Sequence, residues 1–440
     1  MKVLITVLMG LISAAFIIGA EGEAAAFHSG GAGECDGCHS MHNSLEGQSV
    51  IKDMPAGHTH AYLLINQDPS STCLNCHQSA GDSGPTSYHI STPVIEMPPG
   101  LPPKQLSPAG DFGWIQKTYT WSPGVSLPQA WSHGDRHGHN IVAADFLYLA
   151  DATYAAAPGG SYPSDRFACT SCHDPHGKYR RIVDGSIVTT GKPIAGTGSF
   201  VSSQNPGAKT AVGAYRMLGG KDYQPKSLAG NFAFVNDPPA AIAPNWPNRS
   251  EDATQTRVAY GSGMSEWCRN CHPNMHTASF PGPSNLVHAA GSTAKLGQHY
   301  ADSYNSYIKT GVTLTTPDAS SSYLSLVPFE EGTTDYAALK SHAKTDDSYL
   351  VGPDSTSAQV MCLSCHRAHA SGWDGITRWN TVTDYIVYNG LYSQEGQQYQ
   401  PYGQGRTELE ATRAYYNRPS SKFALNQDTL CNKCHIGVYP

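Results

Sequence analysis

Hydrophobic residues form one long run near the start of the chain. Met1 and Lys2 precede an apolar stretch over 3–20, and small residues follow at 24–26. A charged start, an apolar centre and a small-residue end are typical of a secretory signal peptide. A retained membrane anchor is the alternative, because about 18 apolar residues lie at the lower limit for crossing a bilayer. We predict that 1–26 is a cleaved signal peptide and that 27–440 is a single exported domain.

Strings rich in proline and glycine interrupt the later hydrophobic segments. They occur at 98–100, 102–103, 157–160, 237–239 and 281–283. Such strings break helices and strands, and the intervening sequence is also rich in Ser, Thr and Asn. The pattern predicts a mostly irregular fold with short helices after the cysteine motifs described below. Few short strands are expected, one of them around 181–188.

The composition is unusual for a globular enzyme. Only 14% of the 440 residues are charged, against roughly a quarter in typical soluble domains. Gly (44 residues) and Pro (30 residues) are abundant, which excludes a coiled coil or a regular helical bundle. Hydrophobic residues still make up 39% of the chain, so it is neither collagen-like nor fully disordered. Something other than regular secondary structure must organise the core.

All 12 cysteines lie in Cys-x-x-Cys-His units, so no thiol remains for disulfide bonds. Successive units begin between 38 and 99 residues apart. The six motifs are Cys35, Cys38, His39; Cys73, Cys76, His77; Cys169, Cys172, His173; Cys268, Cys271, His272; Cys362, Cys365, His366; and Cys431, Cys434, His435.

This unit is the attachment sequence of c-type haem. Its two thiols form thioether bonds to one haem, and the adjacent His is the proximal axial ligand of the iron. A thioredoxin-like redox pair needs one motif without the His, and a zinc site would pair two motifs at short spacing. The sequence therefore predicts six covalent haems, stacked as a chain that replaces much of the side-chain core.

Fourteen further histidines compete for the second, distal axial position. Met residues show no recurring placement, so we predict His/His ligation, which suits electron transfer and leaves no open position for a substrate. The best distal candidates are His42, His139, His176, His369, His276 and His89. A reserve set consists of His28, His342 and His288. Five others lie in polar stretches typical of solvated loops: His58, His60, His133, His137 and His299.

Several distal candidates follow a motif by one helical turn. His42, His176 and His369 stand three residues after the proximal His, and His276 stands four residues after it. Two ligands of one iron must lie on opposite faces of a wide macrocycle, so neighbours on one turn cannot easily bind the same haem. We expect each of these residues to bind a different haem from its own motif, which would hold neighbouring haems together.

The charge excludes one class of partner, and the motifs leave three functions open. The formal net charge is −7, and haem propionates add negative charge, so nucleic acid is not an expected partner. A conduit for electrons, a soluble monomeric periplasmic electron carrier and a multihaem reductase all remain. A reductase needs one iron with a vacant axial site, whereas all six motifs end in His and spare histidines are plentiful. An electron-transfer protein is favoured over an enzyme.

Specific strings across most of the chain resemble one family, the outer-membrane c-type cytochrome S family of extracellular, filament-forming hexahaem cytochromes. The matching strings are FHSGG (27–31), MHNS (41–44), CTSCHDPHGKYRR (169–181), YRMLGG (215–220), MSEWC (264–268), YNSY (304–307), PFEEG (328–332) and CLSCHRAHAS (362–371).

The resemblance implies properties that spacing alone does not give. It implies six bis-His haems, head-to-tail polymerisation of the chain with itself, and delivery of electrons from donors in the periplasm or outer membrane to extracellular acceptors such as metal oxides or partner cells. It also implies that His42 leaves its own subunit and binds the fifth haem of the next one. The four histidines 58, 60, 133 and 137 are not part of the family pattern.

Overall fold

The computed structural model describes most of the chain after residue 34. The described residues are 35–40, 44–45, 48–49, 63–78, 89–124, 126–228, 232–244, 256–276, 289–307, 318–393 and 403–435. The predicted signal peptide and five histidines lie outside them: His28, His42, His58, His60 and His288. No helix in these ranges has both the length and the apolar character to cross a bilayer.

Helices are short throughout the described ranges. The α-helices are α1 (Pro69–His77), α2 (Met264–Cys268), α3 (Gly297–Ser306), α4 (Tyr336–His342), α5 (Cys362–Cys365) and α6 (Glu408–Ala414). Single 3₁₀ turns lie at Cys35–Gly37, Val94–Glu96, Phe112–Gln116, Gly134–Arg136, Ala144–Phe146, Ser164–Arg166, Cys169–Ser171, Tyr215–Met217, Pro273–His276, Asp374–Ile376, Ser420–Lys422 and Leu430–Lys433. Side chains that accept from the first backbone N–H groups begin three of the α-helices, Asp68 for α1, Asp335 for α4 and Thr407 for α6, whereas α3 begins after Leu296 without such an acceptor.

In the part of the chain that the structure describes, the strands are equally short and form five small antiparallel sheets of two or three strands. They are β1 (Ser44–Leu45), β2 (Gln48–Ser49), β3 (Tyr119–Trp121), β4 (Ala130–Ser132), β5 (Arg180–Arg181), β6 (Ile187–Val188), β7 (Val212–Gly213), β8 (Ala240–Ile242), β9 (Ala259–Ser262), β10 (Tyr385–Tyr388), β11 (Leu391–Tyr392) and β12 (Gln427–Asp428). The predicted strand region around 181–188 is confirmed, since β5 pairs with β6 there. The predicted fold class, mostly irregular with short helices and few strands, is confirmed as well.

Short helices were predicted to follow the cysteine motifs; among the described residues each motif itself carries or ends a helical turn, and no helix follows the third motif directly. Helical turns form on the cysteine motifs themselves, for example α5 on the fifth motif and the end of α1 on the second. Of the turns after a motif, Pro273–His276 follows the fourth. The reason is local: the Cys-x-x-Cys-His spacing of four residues is the spacing of one α-helical hydrogen bond.

Among the described residues, four of the five buried hydrophobic clusters pack against motif cysteines. The largest contains Trp114, Trp373 and Trp379 at its centre, with Cys365 and Cys434 on its border. A second cluster around Tyr260 and Met264 borders on Cys172. The side-chain core is thus divided into pieces that meet the attachment motifs, as expected when the cofactor supplies part of the core.

Candidate haem-binding sites

Each attachment motif is folded as a single turn that places its three functional residues together. In five motifs the backbone N–H of the final His donates to the carbonyl of the first Cys, at 2.8 to 3.0 Å. The second motif ends α1, so it has the same helical geometry. In the third motif the Ser171 hydroxyl also accepts from the Ala168 N–H at 2.8 Å, which fixes the start of the turn. Local hydrogen bonds therefore present both thiols and the imidazole of a motif from one turn of chain.

The proximal imidazoles are oriented by backbone carbonyls. The Nδ1 atom lies 2.7 Å from the Arg216 carbonyl oxygen in His173, 2.8 Å from that of Pro158 in His272 and 2.7 Å from that of Gly375 in His366. An Nδ1–H that donates to a carbonyl fixes the tautomer with a lone pair on Nε2, the arrangement used by metal-binding histidines. These three residues therefore fit the role of an axial ligand.

Three distal candidates face proximal histidines at a diagnostic separation. Ring centroids are 6.3 Å apart for His39 and His176, 6.1 Å for His272 and His139, and 6.3 Å for His173 and His369. Two imidazoles that bind one metal ion from opposite sides, each through a nitrogen about 2 Å from the metal, have centroids about 6 Å apart. In each pair the distal candidate comes from outside the motif that it faces.

The distal rings are kept neutral by their surroundings. Burial and the neighbouring His272 lower the pKa of His139 to about 4. Burial and the neighbouring His173 lower the pKa of His369 to about 3. A ligand imidazole must be unprotonated at the binding nitrogen, so both environments favour the binding form.

A buried aspartate positions His176. One Asp174 carboxylate oxygen accepts from the His176 N–H and the other from the Lys178 N–H, both at 3.1 Å. This turn directs the ring of His176, whose side chain is 78% exposed, towards His39. The ordering is local, so the sequence after the third motif already contains it.

His139 and His369 lie side by side on adjacent backbone segments. The His139 N–H donates to the His369 carbonyl at 2.9 Å, and its Nδ1–H donates to the Ala368 carbonyl at 2.7 Å. Gly138 is bridged to Ala370. The residues that face the third and fourth motifs are therefore fixed to each other through the backbone.

Gly138 permits this close approach, and its substitution tests it. A Cβ at this position would lie 2.7 Å from that of Ala370 and 2.8 Å from the His369 carbonyl oxygen. We expect Gly138→Ala to destabilise the protein by about 1–3 kcal/mol, the usual effect of overpacking, seen as a lower midpoint in thermal unfolding. Gly124→Ala is the matched control, because its Cβ would meet only the flexible Leu127 side chain at 3.3 Å. Equal midpoints for the two variants would contradict the close packing.

Electrostatic interactions between thiols connect the motifs in sequence order. The pKa of Cys38 in the first motif is raised mainly by burial and, to a smaller extent, by Cys76 of the second motif. Cys73 donates a hydrogen bond to Cys169, and this bond and burial raise the pKa of Cys73. Cys268 likewise donates to Cys362, and this bond and burial raise the pKa of Cys268. These interactions place the first motif beside the second, the second beside the third and the fourth beside the fifth.

The remaining links have the same form. Burial is the main cause of the raised pKa of Cys172, and Cys271 is the next. This interaction joins the third motif to the fourth. Burial is likewise the main cause of the raised pKa of Cys365, and Cys431 is the next. This interaction joins the fifth motif to the sixth. Each of the six motifs therefore lies near the next one in sequence order.

Two other distal candidates have different neighbours. His89 is buried, with its Nε2 atom 3.1 Å from the Thr92 hydroxyl and 3.3 Å from the Asp111 carboxylate. The Nδ1 atom of His342 lies 2.6 Å from the Glu331 carboxylate, and its ring stacks on Tyr349 at 4.3 Å. Their assignment as distal ligands stays a prediction. For His276 the structure gives the backbone, within the turn Pro273–His276, and His28, His42 and His288 lie outside the described residues.

One expectation for the polar-loop histidines was wrong. His133 and His299 are exposed, as expected, but His137 is 0% exposed. Its Nδ1–H donates to the Trp114 carbonyl at 3.0 Å, and its Nε2 lies 2.7 Å from the Ser132 hydroxyl and 3.2 Å from Arg406 Nη2. Because both ring nitrogens have partners, burial of this polar ring costs little.

Sequence reasoning missed the partners of His137 altogether. Arg406 is fully buried and its guanidinium lies 4.3 Å from the Tyr119 ring and 4.7 Å from the Trp373 ring. Ser132 also donates to Asp374. These residues are far apart in the chain, and no local pattern marks them. Together they anchor the segment that carries His139.

The chain is similar to one curated cytochrome and to solved structures of the same name. It is 54% identical over 430 residues to the C-type cytochrome OmcS of Geobacter sulfurreducens, covering 96% of this chain and 97% of that protein. Two solved structures, the OmcS nanowires studied by cryo-EM and the outer membrane cytochrome S filament of that organism, match with a TM-score of 0.85 and 54% identity. Each match covers 94% of this chain and 100% of the solved chain. Models of protein families give no match.

Proposed function

Because the chain belongs to the OmcS family of c-type cytochromes, we propose that it carries electrons over long distances outside the cell as a protomer of a filament with six covalently bound haems. The observation that carries this proposal is the succession of six motifs in which each lies near the next, supported by electrostatic interactions between thiols from Cys38 and Cys76 to Cys365 and Cys431. Such a succession offers a path from one end of the chain to the other. The two similar solved structures are filaments of the relative OmcS.

The residues of the chain hold and insulate the cofactor. When bound, haem c supplies an iron that changes between the ferric and ferrous states by one electron. The twelve motif cysteines attach the porphyrins, and the histidine that ends each motif binds iron. We assign His176, His369 and His139 as the distal ligands of the first, third and fourth haems. Carbonyl acceptors such as that of Arg216 hold the imidazoles in the binding tautomer.

The distal assignments follow a regular offset that bears on assembly. His176 stands three residues after the third motif and faces the first motif; His369 stands three residues after the fifth and faces the third. Each reaches the haem two places earlier in this succession. His42 stands three residues after the first motif, and two places earlier in a head-to-tail polymer is the fifth haem of a neighbouring subunit. The offset supports His42 as the ligand that crosses between subunits.

Two other functions are weighed against this one. A soluble monomeric carrier in the periplasm would use the same six haems without the crossing ligand, and the filaments of the relative favour assembly. A multihaem reductase needs an open axial site, whereas three motifs already face a second imidazole. Electron transfer without catalysis is therefore our proposal. Donors in the periplasm or outer membrane and acceptors such as metal oxides or partner cells complete it, with no nucleic acid involved.

Electron cryo-microscopy of the native protein from the extracellular fraction tests this proposal. We expect continuous filaments whose density shows six haems per subunit and an imidazole from one subunit on the fifth haem of the next. Unheated protein should be used, because assembly depends on a bond between subunits. Discrete particles of about the mass of one chain would favour the soluble carrier.

A further inference from the structure

A cavity of about 280 Å³ lies beside the segments that carry the fourth and fifth motifs. Its wall contains one carboxyl residue that is 0% exposed, Glu330. The Oε1 atom of Glu330 accepts from the Met264 N–H at 2.7 Å, whereas Oε2 is buried without a hydrogen-bond partner among the described residues. A buried carboxylate with one unsatisfied oxygen is unfavourable, and protonation of that oxygen removes the charge.

The Glu330 segment touches both motifs. Met264 begins α2, which ends at Cys268 of the fourth motif. The Glu330 backbone exchanges two hydrogen bonds with Gln359, at 3.0 and 2.9 Å, three residues before Cys362 of the fifth motif. The neighbouring Pro328 carbonyl accepts from the Ser364 hydroxyl inside the fifth motif. The carboxyl is therefore built into the junction between two haem-attachment turns.

The groups around Glu330 place its protonated and ionised forms close to equilibrium near neutral pH. The charged and titratable groups from each packed element are Glu266 on α2, Arg257 before β9, Glu331 beside it in the chain, His342 on α4, Asp354 before the fifth motif, and Tyr323 and Tyr349 on the cavity wall. Arg257 is already paired with Glu331, at 3.1 Å. Burial raises the pKa of Glu330 to about 7, the Met264 N–H lowers it and Glu266 raises it again.

We propose that Glu330 is a proton-binding site that takes up one proton when an electron enters the haem of the fourth or fifth motif. The one-electron donor that reduces the cytochrome supplies the electron, and solvent supplies the proton. An O–H bond forms on the carboxylate; reoxidation removes the electron and returns the proton to solvent. The added electron favours a neutral neighbour, because like charges in a site of low dielectric constant repel strongly.

The cavity connects this carboxyl with the surface. Two of its lining residues form a hydrogen-bonded pair, His342 and Glu331, with side chains 27% and 17% exposed. These two partly exposed groups are the proposed entry point for protons from solvent into the cavity that Glu330 lines. The proposal depends on the haems of the fourth and fifth motifs and is independent of filament formation.

Glu330→Gln in the full haem-loaded protein tests the proposal, since the amide oxygen still accepts from Met264. In infrared difference spectra between oxidised and reduced protein, the wild type should gain the C=O band of a protonated carboxyl on reduction, and the variant should lose that signal. Between pH 7 and 8, above the wild-type pKa of about 7, the potentials of one or two haems should fall as pH rises in the wild type and change less in the variant. The limit is a tenfold change in the equilibrium per pH unit, or about 59 mV.

Glu408→Gln is the matched control, because Glu408 is exposed at the start of α6, far along the chain from both turns. It should behave as the wild type. Glu330→Asp keeps a carboxyl and should shift the pH window, so it carries the test if the Gln variant fails to load haem. An unchanged infrared band in Glu330→Gln, or an unchanged pH window in Glu330→Asp, would overturn the proposal while leaving haem attachment and filament formation intact.

Discussion

Replacement of His42 by alanine is expected to abolish filaments while leaving all six haems attached. The thioether bonds come from the cysteines, so mass and haem content should match those of the wild type. One iron in six, that of the fifth haem, should change from low to high spin, because His42 of a neighbouring subunit no longer supplies its distal ligand. Electron microscopy, electron paramagnetic resonance and the visible spectrum measure these three effects.

The control for this variant is His133→Ala. His133 is exposed and stacks on Trp131 with centroids 5.7 Å apart, so its loss should change neither spin state nor assembly. Added imidazole gives a further check, because it should restore the low-spin spectrum of His42→Ala without restoring filaments. Intact filaments with an unchanged spectrum would rule out the crossing ligand.

His369→Ala is expected to combine a change of spin state with a large loss of stability. The ring stacks on Phe112 with centroids 4.7 Å apart, and its backbone holds His139. Removing the ring leaves the third haem without its distal ligand and Phe112 without its stacking partner, at a cost of about 1–3 kcal/mol, the usual range for loss of a packed side chain. Thermal unfolding and electron paramagnetic resonance measure the two effects.

His176→Ala separates the ligand effect from the packing effect. It should also produce one high-spin iron, on the first haem, but its side chain is 78% exposed, so the unfolding midpoint should fall less than in His369→Ala. If neither variant changes spin state, the ring pairs do not represent iron ligation and the distal ligands must be sought elsewhere.

Glu330 adds a proton to the function if the proposed site is correct. The potential at the junction of the fourth and fifth motifs would then depend on pH. The residue lies in PFEEG (328–332), a string shared with the family. Sequence alone gives no reason to separate Glu330 from the adjacent Glu331, which is partly exposed and paired with Arg257.

The sequence by itself determined the chemistry of attachment. The two cysteines and the histidine of each motif are close enough along the chain to meet within one helical turn. The six haem sites could therefore be identified from the sequence motifs alone. The irregular fold followed from the interruption of hydrophobic segments by proline and glycine, and the strand region around 181–188 from its local pattern. In each case residues a few positions apart decide the structure.

Only the tertiary structure decided which histidine faces which motif. His39 faces His176, and His173 faces His369, across more than a hundred residues of sequence. The polar sequence around His137 gave no sign that this residue is buried beside Arg406. The burial of Glu330 is decided in the same way, by α2 and by the backbone of Gln359. Contacts between distant segments depend on how the whole chain packs around the succession of motifs, and no local spacing encodes them.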